Sequence, residues 1–167
     1  MTVVEKAITS QTGTGEMYAC EANQLSTLSQ GWMKALQESQ RFGDLPPFKK
    51  ALVMTTTLDD LIKEFGKPDL LKIDVEGGEF EVLGNLKMPL SCICFEYAFP
   101  ESRKSFDLCI KHLDGLGKAL YNITHDDKGF VFPEWSSSQK LSELLKQEFE
   151  ESTCGNIYAR YPGLSGG

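Results

Sequence analysis

The residues with the most chemical promise are acids that close apolar runs. Leu70-Leu71-Lys72-Ile73-Asp74-Val75 leads directly into Glu76-Gly77-Gly78-Glu79, and the run from Ser91 to Phe99 carries Glu96 and Tyr97. Nearly continuous apolar runs suit central parallel strands buried on both faces. In an open α/β sheet, ligands bind beyond the carboxyl ends of the strands. An aspartate at such a strand end can bind a cationic group, ligate a hard metal or take a proton. Asp74 and Glu76 have a second reading, as caps that complement the dipole of the following helix. Lys72, inside the strand, pairs with an acid or snorkels to an edge.

Other chemistries lack their residues. Gly13-Thr14-Gly15 and Gly77-Gly78 make neither G-x-G-x-x-G nor a Walker loop. The chain has no G-x-S-x-G elbow, and Ser26, Cys94 and His112 have no local context for a nucleophile and base. The five cysteines, Cys20, Cys92, Cys94, Cys109 and Cys154, are odd in number, and neither His112 nor His125 joins them at zinc-ligand spacing. They are read as reduced, buried thiols with no metal assigned. That points to a reducing compartment, so a cytoplasmic location is expected. The net charge of −7 disfavours phosphate-mediated binding of nucleic acid. No apolar run reaches the roughly 18 residues of a membrane span, and the opening residues Met1 to Lys6 lack the layout of a signal peptide.

The elements that must position these acids alternate in type. Strands are expected at Val3 to Ile8, Glu16 to Cys20, Ala51 to Thr55, Leu70 to Val75, Ser91 to Phe99, around Ala119 to Ile123, and at Asn156 to Tyr161. Phe130-Val131-Phe132 is expected to pair back after a turn at Asp126-Asp127-Lys128-Gly129. Helices are expected at Trp32 to Gln40; after Thr57, with Leu58, Leu61, Ile62 and Phe65 on one face; at Glu79 to Leu86; after Pro100-Glu101, with Phe106, Cys109, Ile110 and Leu113 inward; and after a capping box of Ser136 with Gln139, through Leu141, Leu144, Leu145 and Phe149. The rhythm predicts an α/β doubly wound sheet with an antiparallel strand near the C-terminus. With 167 residues, one domain over 1–162 is expected, followed by a flexible tail at 163–167.

The order Thr56-Thr57-Leu58-Asp59-Asp60-Leu61-Ile62, then Pro68-Asp69-Leu70-Leu71-Lys72-Ile73-Asp74-Val75-Glu76-Gly77-Gly78-Glu79, then Val82-Leu83, then Phe95-Glu96-Tyr97 resembles the FkbM family of S-adenosylmethionine-dependent methyltransferases. Ser26-Thr27-Leu28 is similar to a short serine motif earlier in that family. The resemblance covers residues 2 to 161 and is strongest from 56 to 99. It implies a class I methyltransferase-like (Rossmann-like) fold, S-adenosylmethionine as cofactor, and O-methylation of a sugar or small metabolite. By the same resemblance, Asp74 faces the methionine or acceptor end as base or polar anchor. Glu76 meets the acceptor or a metal, Glu96 and Tyr97 line the acceptor side, and Ala7 and Ile8 sit near the adenine.

The resemblance also implies two features that this sequence lacks. One is a first strand ending in a D-x-G-x-x-x-G cofactor loop; the other is an acid one strand later for the ribose hydroxyls. The chain is therefore expected to match the C-terminal two-thirds of the family domain and to bind cofactor weakly or not at all by itself. In the class I order 3-2-1-4-5-7-6, the edge of Leu70 to Val75 then lacks its neighbour. An apolar edge invites pairing, so Val3 to Ile8, or the same edge of a second copy in a homodimer, is expected to cover it. Two other readings stand beside methyl transfer. One is a non-catalytic relative that binds or assembles. The other is a metal-dependent hydrolase or transferase using Asp74, Glu76 and Glu96.

Overall fold

The computed structural model describes residues 1–21, 25–39, 43, 46–125, 128–147 and 153–164. Among them run β1 (Ala7–Ile8), β2 (Gly13–Ala19), α1 (Gln30–Ser39), β3 (Lys49–Thr56), α2 (Leu58–Phe65), β4 (Leu70–Ile73), α3 (Glu79–Leu83), β5 (Cys92–Phe99), α4 (Arg103–Leu116), β6 (Leu120–His125), α5 (Ser138–Gln147) and β7 (Thr153–Arg160). Gln40, Asp126, Asp127, Phe149 and the tail from 165 onward, all named in the sequence reading, lie outside the described residues.

The strands form two mixed sheets. β1-β3-β2 pairs β1 parallel and β2 antiparallel to β3. β4-β5-β7-β6 pairs β4 parallel to β5, with β7 antiparallel between β5 and β6. The expected antiparallel strand near the C-terminus is therefore β7. The core is built on β5, whose alternate residues Ile93, Phe95, Tyr97 and Phe99 are all buried. Phe106, Cys109, Ile110 and Leu113 of α4 join it at the spacing their sequence predicts. Thr57 caps α2, its Oγ1 accepting from the Asp60 N–H at 3.1 Å.

Several expectations need correction. Only Ala7 and Ile8 of the first predicted strand pair, and they pair with β3 rather than β4. The segment does not fill the place beside β4, whose outer edge carries no strand among the described residues. β4 is not buried on both faces. Leu70 is 57% exposed, and of its four residues only Ile73 is fully buried. A four-residue edge carrying the Lys72 ammonium is short and charged, two devices that discourage edge-to-edge pairing. Ser137, not Ser136, caps α5, with its Oγ accepting from the Lys140 N–H; Ser136 bridges to Tyr121 instead. Phe130 to Phe132 does pair back onto β6, the Val131 N–H donating to the Ile123 carbonyl at 2.9 Å, but it forms no strand. Asn122 holds that segment, accepting from the Phe132 N–H and donating to the Phe132 carbonyl.

Candidate active site

β4 ends at Ile73, and the chain then turns sharply. Glu76 is the one non-glycine residue described with positive φ, at 52°, and Gly77 follows at 83°. Such values disfavour most side chains, so the turn must be held by its surroundings. Three contacts hold it. Thr27 Oγ1 donates to the Glu76 carbonyl at 2.6 Å. Glu79, only 3% exposed, accepts the Gly77 N–H at 3.1 Å. Trp32 of α1 packs so closely on Gly77 that a Cβ there would come within 2.6 Å of the indole Cγ. Trp32 and Leu36 in turn bury against Ala98 at the end of β5.

The turn brings the predicted acids together. Carboxylate oxygens of Asp74, Glu76 and Glu96 lie within 4.8 Å of one another. Glu96 reaches the cluster from β5, where it stands opposite Asn156 of β7. Lys72 Nζ is 3.3 Å from Asp74 Oδ2 and donates to Asn156 Oδ1 at 2.7 Å, so the pairing reading of Lys72 holds. Burial, then the charges of Glu96 and Asp74, push the Glu76 carboxyl up to about 8. Burial, then the Asp74 charge and a hydrogen bond with Asp74, push Glu96 up to about 7. Near neutrality Glu76 is therefore largely protonated, and Glu96 holds its proton part of the time. Burial also raises Glu79, against the pull of the backbone N–H groups around it. The indole N–H of Trp32 lies toward the Glu76 carboxyl, close enough to favour its charged form slightly, but short of hydrogen-bond geometry.

The remaining predicted site residues are placed apart from this cluster. Tyr97 is 1% exposed and faces the core, donating to the Thr124 carbonyl and hydrogen-bonding with His125 Nδ1. Neighbours on a strand face opposite ways, so Glu96 and Tyr97 cannot line one surface. Ala7 and Ile8 belong to the three-stranded sheet, paired with Thr55 and Thr56. Thr27, Trp32 and Glu79 were not predicted as the residues that brace the turn. The N-cap of α3 is Gly78 with no side-chain cap hydrogen bond, so neither Asp74 nor Glu76 caps that helix through its side chain.

Residues 7–123 match the model of the FkbM methyltransferase domain, more than two-thirds of the chain. The chain belongs to the FkbM methyltransferase family. Comparison with curated proteins and with solved structures gives no match. No described helix is long and apolar enough to cross a membrane. Among the described residues of this FkbM domain, no disulfide joins the cysteines.

The raised carboxyls make stability depend on pH. Folded Glu76 holds its proton to about pH 8, whereas the unfolded chain releases it near 4.5. Its contribution is fully present below pH 4.5 and is lost as pH rises through about 8. Glu76→Gln removes that loss. With allowance for solvent screening of a half-buried group, the variant is expected to be more stable than wild type at pH 9 by roughly 1–2 kcal/mol, or about 3–6 °C in Tm. At pH 4 the two should melt together. Thermal unfolding followed by circular dichroism at both pH values checks this, and equal Tm values at pH 9 would contradict it.

Proposed function

We propose that the chain handles the acceptor hydroxyl in an S-adenosylmethionine-dependent O-methyltransferase, acting on a sugar or small metabolite. The observation that carries this reading is the acid cluster that Asp74 and Glu76, after the end of β4, form with Glu96 of the adjacent β5, in a chain of the FkbM methyltransferase family. The order β4-β5-β7-β6, with β7 antiparallel, agrees with the 4-5-7-6 half of a class I methyltransferase sheet. It supports that fold as the frame of the site.

The residues suit the cofactor at one end. The Asp74 carboxylate after β4 matches the positive charge of its sulfonium, while Ala7 and Ile8 sit in the other sheet. When bound, the cofactor supplies an electrophilic methyl group. The chain's own residues then manage the acceptor proton. Asp74 is 55% exposed and ion-paired to Lys72, so an incoming hydroxyl can reach it. Its carboxylate takes the hydroxyl proton as the acceptor oxygen becomes nucleophilic. Glu96, hydrogen-bonded to Asp74, orients that carboxylate, and the turn through Gly77 fixes Glu76 beside it.

Incubating the chain with millimolar labelled S-adenosylmethionine and a panel of hydroxylated acceptors tests the reading. Transfer of one labelled methyl group to an acceptor oxygen is the expected result. Absence of both methylated product and cofactor binding by calorimetry would remove the reading.

A further inference from the structure

We propose that Asp74, Glu76 and Glu96 form a binding site for one hard divalent cation, with the Trp32 indole N–H as its outer support. The site shares these three carboxylates with the proposed acceptor site, but binding of the ion itself needs neither cofactor nor acceptor.

The first argument is geometric. Ligands on opposite sides of a calcium ion are about 4.6–5.2 Å apart, and adjacent ones are closer. Three carboxylate oxygens within 4.8 Å of one another therefore span a single ion without rebuilding the backbone. The donors are all oxygen, which selects calcium, manganese or magnesium over zinc or copper. They come from the end of β4, from a turn held by Thr27 and Glu79, and from the middle of β5. Such a frame keeps like charges close together, which only a cation or shared protons can relieve.

The second argument is Trp32. Its side chain is 7% exposed, and its indole N–H is buried without a hydrogen-bond acceptor among the described residues. A buried donor left unmade costs about 1–3 kcal/mol. The N–H lies toward the Glu76 carboxyl. If one Glu76 oxygen turns to a cation, the other turns to the indole and accepts its proton. Hydrogen bonds of this kind to ligating carboxylates are the usual outer support of a metal site. Lys72 competes for Asp74 at 3.3 Å, but its shorter bond is to Asn156 at 2.7 Å. The ammonium can keep the Asn156 bond while Asp74 turns.

The test is a titration of the chelator-treated chain with Mn²⁺ or Ca²⁺ at pH 8, read by calorimetry and tryptophan fluorescence. One saturable site is expected, with a Kd of about 10⁻⁵–10⁻³ M. Asp74→Asn and Glu96→Gln should each weaken it about tenfold or more. Trp32→Phe should weaken it to a similar degree. Lys72→Met should tighten it. Glu143→Gln, at an exposed acid on α5 that pairs with Gln139, should leave it unchanged. Should Glu96→Gln fail to fold, the exposed Asp74→Asn variant still decides. Absence of a saturable site overturns the proposal. So does equal weakening by Glu143→Gln, which would mean diffuse attraction to a chain of net charge −7. Either negative result leaves the methyl-transfer reading intact.

Discussion

Replacing Asp74 by asparagine is expected to slow methyl transfer by about 10²- to 10⁴-fold, the usual range for losing a positioned general base. The substitution keeps the shape of the side chain and its ability to hydrogen-bond Glu96, and removes only the charge and the basicity. Stability should hardly change. Asp74 is 55% exposed and its Lys72 partner 42% exposed. An ion pair so open to water contributes about 0–1 kcal/mol, so Tm should stay within about 3 °C of wild type. The rate at saturating acceptor should fall far more than the acceptor's KM rises, because proton removal belongs to the reaction rather than to binding. Steady-state kinetics at several acceptor concentrations, with a melting curve for each protein, separate the two roles. Full activity with a large loss of stability would make Asp74 a structural cap.

Where a single element dictates its own form, the sequence was a good guide. Phe106, Cys109, Ile110 and Leu113 recur at helical spacing and all lie in the core. Thr57 precedes an acidic first turn and caps it. What failed needed knowledge of partners. Val3 has the β-branched character of a strand residue yet is 72% exposed, because strand propensity supplies no neighbour to bond with. Leu70 and Leu71 read as buried on both faces, although β4 is an edge strand of four residues. At the site, the meeting of Asp74, Glu76 and Glu96 was legible because all three belong to neighbouring parallel strands and the turn after β4. Tyr97 was misplaced through neglect of strand alternation, which sends its side chain to the core. Thr27 was legible only as part of a motif. Its bond to the Glu76 carbonyl spans 49 positions, a contact no local pattern encodes.

Gly155→Ala is expected to be the most damaging single substitution tested, although it adds one methyl group. Gly155 sits in β7, opposite Tyr97 of β5 and His125 of β6. A Cβ at that position would run into the Thr124 carbonyl oxygen, 3.0 Å from its carbon and 3.1 Å from Tyr97 Cε1. The Thr124 oxygen is backbone in a hydrogen-bonded ladder, so it cannot swing aside as a long side chain would. Tyr97 is no freer, being buried and tied by its hydroxyl to Thr124 and His125. Relief therefore requires moving β7 against β5 or β6. Overpacking commonly costs about 1–3 kcal/mol where side chains can adjust. Backbone trapped on both sides puts this case above ~4 kcal/mol, a large part of the ~5–15 kcal/mol that holds a domain together. Tm should fall by about 8–16 °C, or the variant should fail to accumulate in soluble form. Gly115→Ala is the matching control. Gly115 lies within α4, where a Cβ meets nothing within 4 Å. Alanine there should raise stability by about 0.5–1 kcal/mol through helix propensity. Opposite signs for the same chemical change would tie the effect to the crowding of β7. Because Glu96 neighbours Tyr97 and stands opposite Asn156, a Gly155→Ala protein that still folds should also lose activity as β7 shifts. A Gly155→Ala protein that melts with wild type would show that β7 has room to move, and that the packing behind the acid cluster is looser than described.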